Sequence, residues 1–475
     1  MIDCKLISRK VSSNASLQSV THLFASGKHP AILGGNLSKC DSNRFSVWSA
    51  EPVDIFEFTD GDKKPFDKLA AVIDRYTLDS ADSDLPNGMF RGGWIGYFSY
   101  DLRRYIEKVP NSAENDLHLP LIRLCFYDNA ICYDHRDRSW YLLALQMGGD
   151  TESAKNKISK LKGLLAKAEK IKLPPLPDAN LDNINVSQID CNMSRNFYTD
   201  ALAKTKQYII DGEVYQINFS QRFACPCDAD PAELYRWQNE HNPSPYAAYI
   251  GADDFALVSA SPEMFVTIDA HAVSTKPIKG TRPRLKDCQA INQLNFTELV
   301  ESEKDQAELN MIIDLERNDL TRFCRYGTIK VTQPRTIEAY PTVYHAVATV
   351  EGKLRQNENT RGENFCEMLK AMFPGGSITG APKIRSMEII DELEPTRRNA
   401  YTGSIGFIGI DGNACLNIAI RTVIITNKTA YVQTGGGIVA DSDTNEEWDE
   451  TITKARALLA GIAAVNEKTA TVKGN

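Results

Sequence analysis

The sequence, 475 residues long, has no apolar run long enough to cross a bilayer. Its opening, Met-Ile-Asp-Cys-Lys, lacks the basic segment and apolar core of a secretion signal, so a cytoplasmic protein is expected. Nor is there an excess of positive charge. The formal net charge of −8 argues against nucleic acid or an anionic membrane surface as the main partner. The eleven cysteines are odd in number and show no framework spacing, which excludes a disulfide scaffold and fits reduced thiols. Cys225 and Cys227 form a C-x-C without a second Cys/His pair at zinc-finger spacing, so no zinc site is expected there. Gly-Lys-Ser/Thr is missing, which excludes a Walker loop, and no Gly-x-Cys-x-Gly elbow of a glutaminase occurs. Internal repeats and low-complexity tracts are absent.

What is present is 42% hydrophobic residues on a chain long enough for a sizeable core. Residues 1 to about 145 alternate short apolar runs with turn signals, as at Ala31–Leu33, Gly93–Tyr100 and Leu124–Tyr133. Residues 152–170 have helical spacing, and Lys172 to about Gln188 reads as a linker. Beyond it, Ser194–Ile210 is a capped helix stopped by Gly212. Further strands are expected at Val214–Arg222, Ala256–Ser259, Met264–Ile268, Thr328–Val331, Ala346–Val350, Ser404–Ile410, Ala414–Ile425 and Thr429–Thr434, and helices at about 299–316, 363–372, 382–391 and 445–464. The strands are too many for a doubly wound nucleotide fold. The expectation is α+β, with two packed, mostly antiparallel β-sheets and flanking helices. It divides into residues 1–170, a linker at 171–190, a catalytic domain at 191–466 and a tail at 467–475.

Three stretches carry chemistry. In Lys276-Pro-Ile-Lys-Gly-Thr-Arg-Pro-Arg284, a short strand Ser274–Ile278 is stopped by Gly280 and Pro283, which leaves Lys279 at its end. A lysine beside a glycine that admits a ligand is placed to act as a neutral amine nucleophile. The alternative is a solvated basic turn. In the second stretch, Asp305 and Glu308 share one helical face, as do Glu447, Glu450 and Lys454 on a later helix. If the two faces meet, one carboxylate from each with several waters suits Mg²⁺; otherwise Glu450 and Lys454 are an ordinary surface pair. In the third, Phe373-Pro-Gly-Gly-Ser-Ile-Thr-Gly-Ala-Pro-Lys383 is a turn with Pro382 as first helical residue and outward N–H groups for an anion. With Gly435-Gly-Gly-Ile-Val439 and Arg421, it implies a ligand bearing more than one carboxylate or phosphate.

These motifs, with Gly212-Glu-Val-Tyr-Gln-Ile-Asn218, Ser261-Pro-Glu-Met-Phe265 and Asp314-Leu-Glu-Arg-Asn-Asp319, resemble the chorismate-utilising enzymes over roughly residues 190–464, with a weaker likeness at Arg44-Phe-Ser46 and Ala50-Glu-Pro52. Anthranilate-forming members carry alanine where Lys279 stands. Isochorismate- and salicylate-forming members carry a water-activating lysine where this chain has Gln216. The pair Gln216 and Lys279 is therefore that of the branch that aminates chorismate for 4-aminobenzoate and folate synthesis.

The resemblance implies Lys279 as nucleophile and Glu263 as general acid, with Gln216, Thr281, His345, Thr379, Tyr401, Arg421, Gly436, Gly437 and Lys454 around the substrate. It implies Mg²⁺ on Glu308 and Glu450, with Asp305 and Glu447 behind its waters. Chorismate is a dianion, which an acidic protein can hold only where a cation reverses the local sign. A glutamine amidotransferase partner is implied as the ammonia source. A tryptophan pocket is implied at Gly35, Ser42, Asn43, Arg44, Phe45, Pro245, Tyr246 and Ala247. Gly35 stands where a serine contacts that amino acid in relatives, and the alternative is that Arg44, Phe45 and Tyr246 pack between sheets.

Overall fold

The computed structural model describes residues 1–35, 43–79, 84–178, 184, 186, 189–286 and 288–473. Two large sheets organise it. The first runs Asp190–Cys191, Gln216–Pro226, Thr429–Ile438, Thr422–Thr426, Phe255–Ser261, Tyr246–Gly251, Ala31–Leu33, Phe45–Ser49, Asn129–Asp134, Ser139–Met147, Ile2–Val11, Tyr76–Leu78, with Gly380–Ala381 beside Gln216–Pro226. The second runs Ile278–Pro283, Val343–Lys353, Ala272–Lys276, Met264–Asp269, Ala414–Asn417, Ser404–Gly409, Gly93–Phe98, Ile122–Tyr127, Asp54–Phe58, with Lys330–Ala339 beside Val343–Lys353. Pairing is antiparallel except where Ile2–Val11 meets Tyr76–Leu78 in parallel. This is the expected α+β architecture.

Both sheets mix early and late chain. Ala248 pairs with Leu33 across Tyr246–Gly251, and Gly406 pairs with Gly96 across Ser404–Gly409. Gly96 and Gly406 need to be glycine, because a Cβ on either would stand within 2.0 Å of a neighbouring strand's carbonyl oxygen. One core cluster takes Phe98, Leu124, Phe265 and Leu416 from the second sheet together with Leu33, Val47, Ile217 and Leu257 from the first. A second cluster lies on the outer face of the first sheet, where Trp48, Trp140 and Val258 meet Leu161 of helix Ala154–Ala168 and Leu459 of helix Thr444–Lys473. Alternate residues of Ala31–Leu33 and Phe45–Ser49 divide between the two clusters, as the two-residue period of a strand requires.

Helix Arg195–Ile210 is capped by Ser194, whose side chain accepts from the Phe197 N–H, as the sequence predicts. Four expectations are corrected. The helix expected at 299–316 is two, Gln289–Glu301 and Glu303–Thr321, because Ser302 takes an extended conformation and caps the second by accepting from the Asp305 N–H. Ala414–Ile425 is two strands joined by an irregular segment. Pro382 is the N-cap of helix Lys383–Leu393, outside its first turn. The strand at Lys276 breaks at Pro277 and then resumes through Gly280 to Pro283.

Candidate active site

Strand Ile278–Pro283 is the outermost of the second sheet. Its pairing with Val343–Lys353 passes from Ile278↔Val347 to Thr281↔His345, three residues on one side against two on the other. Lys279 therefore sits in a β-bulge, a device that re-aims a side chain. Gly280 makes the bulge possible: its φ is +88°, and a Cβ there would lie 2.8 Å from Asp305 Cγ. The Lys279 side chain is 12% exposed, and its Nζ stands 3.8 Å from Glu308 Oε2. Burial holds this amine below the usual lysine range, against the opposing pull of Glu308 and Glu263.

The glycine run lies against the same amine. A Cβ on Gly437 would fall 2.1 Å from Gln216 Nε2 and 3.4 Å from Lys279 Nζ. Gly437 belongs to strand Thr429–Ile438, which pairs with Gln216–Pro226 through Gly437↔Asn218. Gln216 is buried, and its Oε1 has no hydrogen-bond partner.

Glu263 sits between the two sheets' inner strands, 4% exposed. Burial pushes its carboxyl up, while the Ser377 hydroxyl, the Ile278 N–H (3.4 Å), Lys279 and Arg421 favour its charge. Arg421 belongs to the irregular segment before Thr422–Thr426 and has φ +49°. His345 is buried and pushed down to about 3 by desolvation, with Arg421 adding to it, so the ring is neutral. Thr281 Oγ1 lies 2.8 Å from His345 Nδ1 and Nε2 has no partner. With the hydroxyl donating to Nδ1, the proton sits on Nε2 as an unused donor.

The acidic faces of the two helices do meet. Burial raises Glu308, and the charges of Asp305 and Glu450 add to it; burial likewise raises Glu447, with Glu450 contributing. Burial also works against the charge of Glu450, but Lys454 at 2.6 Å outweighs it and holds this carboxyl below the usual range. Lys454 also donates to the Gly435 carbonyl (2.9 Å). Asp305 is 3.1 Å from Arg282 Nη2 without a well-aligned hydrogen bond to its Oδ2, and Glu447 Oε2, the nearest atom to a Cβ built on Gly436, has none either. Among the described residues no three His, Cys, Asp or Glu form a ready-made metal cage. A Mg²⁺ site needs less: one or two carboxylates, the remaining positions being water. Four neighbouring carboxylates, of which Glu447 keeps an unpartnered oxygen while Asp305 and Glu450 are also paired with Arg282 and Lys454, fit such an ion.

Thr379 and Tyr401 are both buried. The Thr379 hydroxyl donates to the carbonyls of Gly375 and Gly376, and Tyr401 packs beside Arg398, whose guanidinium lies 5.8 Å from the ring centroid. Sequence reasoning missed Arg398, which bonds Ile378 O and Asn218 O and so ties the glycine turn to strand Gln216–Pro226. It also missed Ser377 and Tyr198, the latter fully buried with no partner for its hydroxyl and within the field of Glu447 and Glu450. Nothing in the spacing marks these residues, since each acts through a contact distant in the chain.

Several of the residues expected around tryptophan lie beside one another: a Cβ on Gly35 would lie 3.6 Å from Ala247 Cβ. Gly35 lines a shallow pocket with Gly34, Trp48, Tyr235 and Arg236, while Tyr246 lines another with Lys276 and Tyr340. Arg44 is bound through both oxygens of the buried Asp134, with the Phe45 ring 5.0 Å away. Asn43 Nδ2 donates to Pro245 O (2.6 Å), and Ala247 O accepts from Gly34 N. A Cβ on Gly35 would lie 2.5 Å from Ser244 O, which is why glycine stands there. Ser42 lies outside the described residues.

A family model described as chorismate binding enzyme matches residues 36–460. Aminodeoxychorismate synthase component 1 of Bacillus subtilis is 35% identical over 95% of this chain and 96% of its own length. An anthranilate synthase component 1 of Haloarcula marismortui is 38% identical over 86% of this chain and 83% of its own. The crystal structure of anthranilate synthase component I from Streptococcus pneumoniae superposes with a TM-score of 0.74 at 30% identity, covering 88% of this chain and 93% of that one.

Proposed function

The chain belongs to the family of chorismate binding enzymes, and from that premise we propose that it is the chorismate-aminating component of an aminodeoxychorismate synthase. It converts chorismate and ammonia to 4-amino-4-deoxychorismate and water. The observation that carries the reading is Lys279, a buried amine of lowered basicity held in a bulge between Gln216, Gly437 and Glu308.

Neutral Lys279 donates its electron pair to ring C2 while the double bonds shift and the C4–O bond breaks. Glu263 gives its proton to the departing hydroxyl, which leaves as water. Ammonia then bonds to C4, the C2–N bond returns its electrons to Lys279, and the proton shed by the new amine restores Glu263. Covalent capture divides one hard substitution into two easier ones. The opposite shifts of the two groups suit this sequence, since the nucleophile must be uncharged and the acid protonated. The neutral His345 and Arg421 would hold the substrate's polar groups, and Gln216, which cannot activate water as a lysine would, leaves ammonia the incoming nucleophile.

Glu308 and Glu450 would hold Mg²⁺, with Asp305 and Glu447 bonded to its waters. When bound, that ion supplies the positive charge that lets this acidic face accept carboxylates. Ammonia would come from a glutamine amidotransferase component, since the sequence contains no cysteine elbow of that kind.

Incubating the chain with chorismate, Mg²⁺ and an ammonium salt tests the reading. A product with the mass of aminated chorismate and no anthranilate fluorescence is expected. Anthranilate synthases match this chain at similar identity; a fluorescent product of lower mass, with pyruvate released, would establish that reaction instead. No consumption of chorismate overturns both.

A further inference from the structure

Asp305 is pinned in a way that Glu308, one turn along the same helix, is not. Its side chain leans on the strand of Lys279: a Cβ on Gly280 would lie 2.8 Å from its Cγ, and Arg282 Nη2 stands 3.1 Å from its Oδ2. That guanidinium is itself held at its other two nitrogens. Nε donates to Glu298 Oε1 at 2.8 Å and Nη1 to the Thr281 carbonyl at 3.0 Å. Glu298 belongs to helix Gln289–Glu301, whose Leu299 Cδ1 would lie 2.9 Å from the same Cβ. One arginine thus ties the strand to both helices, and its rigid planar fork fixes the Asp305 carboxylate against the strand.

The other cations facing the acids are held less firmly. Lys279 stands off Glu308 at 3.8 Å. Lys454 touches Glu450 at 2.6 Å and the Gly435 carbonyl at 2.9 Å, but its ammonium has a flexible stem and is 43% exposed, so water can take its place. Lys304, which also faces Glu308, is exposed. Arg282 can leave Asp305 only by giving up contacts on its own strand and on a second helix.

We propose that Arg282 is a positioning residue that holds Asp305 back from direct contact with a Mg²⁺ bound by Glu308 and Glu450, which keeps a coordination position open for a carboxylate of the substrate. The proposal rests on the reading of these acids as a Mg²⁺ site. Mg²⁺ demands near-ideal octahedral geometry, so a third carboxylate directly on the ion would tighten its hold and use up a position that the substrate needs.

Arg282→Gln frees Asp305. Calorimetry of Mg²⁺ binding to the full chain without substrate should then show an affinity about tenfold higher than that of the wild type. The gain should vanish when the same change is made in Asp305→Asn, because the two residues act as one unit. Water-proton relaxation with Mn²⁺ in place of Mg²⁺ should count about one bound water fewer in Arg282→Gln. In ammonia-driven turnover at saturating Mg²⁺, KM for chorismate should rise more than kcat falls. If Arg282→Gln does not fold, Arg282→Lys keeps the charge without the fork, and shifts of affinity and water count in the same direction are expected. A folded variant whose Mg²⁺ binding is unchanged or weaker overturns the proposal. So does a gain that survives Asp305→Asn, since the loss of a positive charge would alone produce it. A wild-type chain without saturable Mg²⁺ binding removes the metal site itself, and the role of Arg282 with it.

Discussion

Lys279 Nζ lies 3.8 Å from Glu308 Oε2, and desolvation pushes the two groups toward their uncharged forms, the amine down and the acid up. Their attraction opposes this without cancelling it. A lysine meant only to neutralise a carboxylate would gain from closer contact and more water; this one is held back from both.

Replacing Lys279 separates binding from chemistry. Lys279→Ala is expected to lose at least about 10²-fold in turnover with ammonia, and Glu263→Gln about 10²–10⁴-fold, the range for a positioned proton donor. Calorimetric affinity for chorismate should change by less than about tenfold, or 1.4 kcal/mol. Unchanged turnover in Lys279→Ala would remove the lysine from the mechanism.

Gly280→Ala tests the bulge. The φ of +88° and the 2.8 Å approach to Asp305 Cγ leave no room for a methyl group. The variant should be less stable by about 1–3 kcal/mol in urea unfolding and should lose turnover as Lys279 is re-aimed. A fully active and equally stable variant would show that the bulge does not place the amine.

His345 sets an acid limit on stability. Its folded value is depressed to about 3, so as pH falls below about 6.5 the unfolded chain takes up a proton that the folded chain refuses. Stability is then lost at about 1.4 kcal/mol per pH unit between those two values. His345→Gln should lose about 2 kcal/mol less than the wild type on going from about pH 6.5 to 4.5. Parallel curves for the two proteins would mean that the ring is protonated in the fold.

The four carboxylates should differ in what they do to Mg²⁺. Glu308→Gln and Glu450→Gln are expected to abolish saturable binding by calorimetry, whereas Glu447→Gln and Asp305→Asn should weaken it by about 10–100-fold, the usual effect of groups behind the first ligands. Equal small effects at all four positions would count against a site shared by the two helices.

Local chemistry was the legible part of the sequence. The spacing of Glu447, Glu450 and Lys454 put them on one helical face, and Asp305 and Glu308 on another, where the structure has them. Ser194 was readable as a cap because capping is a matter of three residues. The break at Ser302 was missed because the apolar residues continue across it, although Ser302 and Asp305 carried the signal of a new start. In the sequence Gly280 reads as a stop; that it instead permits a bulge depends on the pairing of Thr281 with His345, far along the chain. Residue roles come from resemblance, since Ser377 and Arg398 declare themselves only once the glycine turn is folded against them.

Early and late chain are joined along both sheets by backbone hydrogen bonds, at Leu33 with Ala248 and at Gly96 with Gly406. A protease cut between residues 171 and 178 would accordingly leave two fragments still zipped together, and either fragment made alone would bare two raw strand edges prone to aggregate. Grafting the catalytic half of this chain onto a foreign front half cannot succeed by a splice at that point, because the seam to be matched runs through the middle of both sheets.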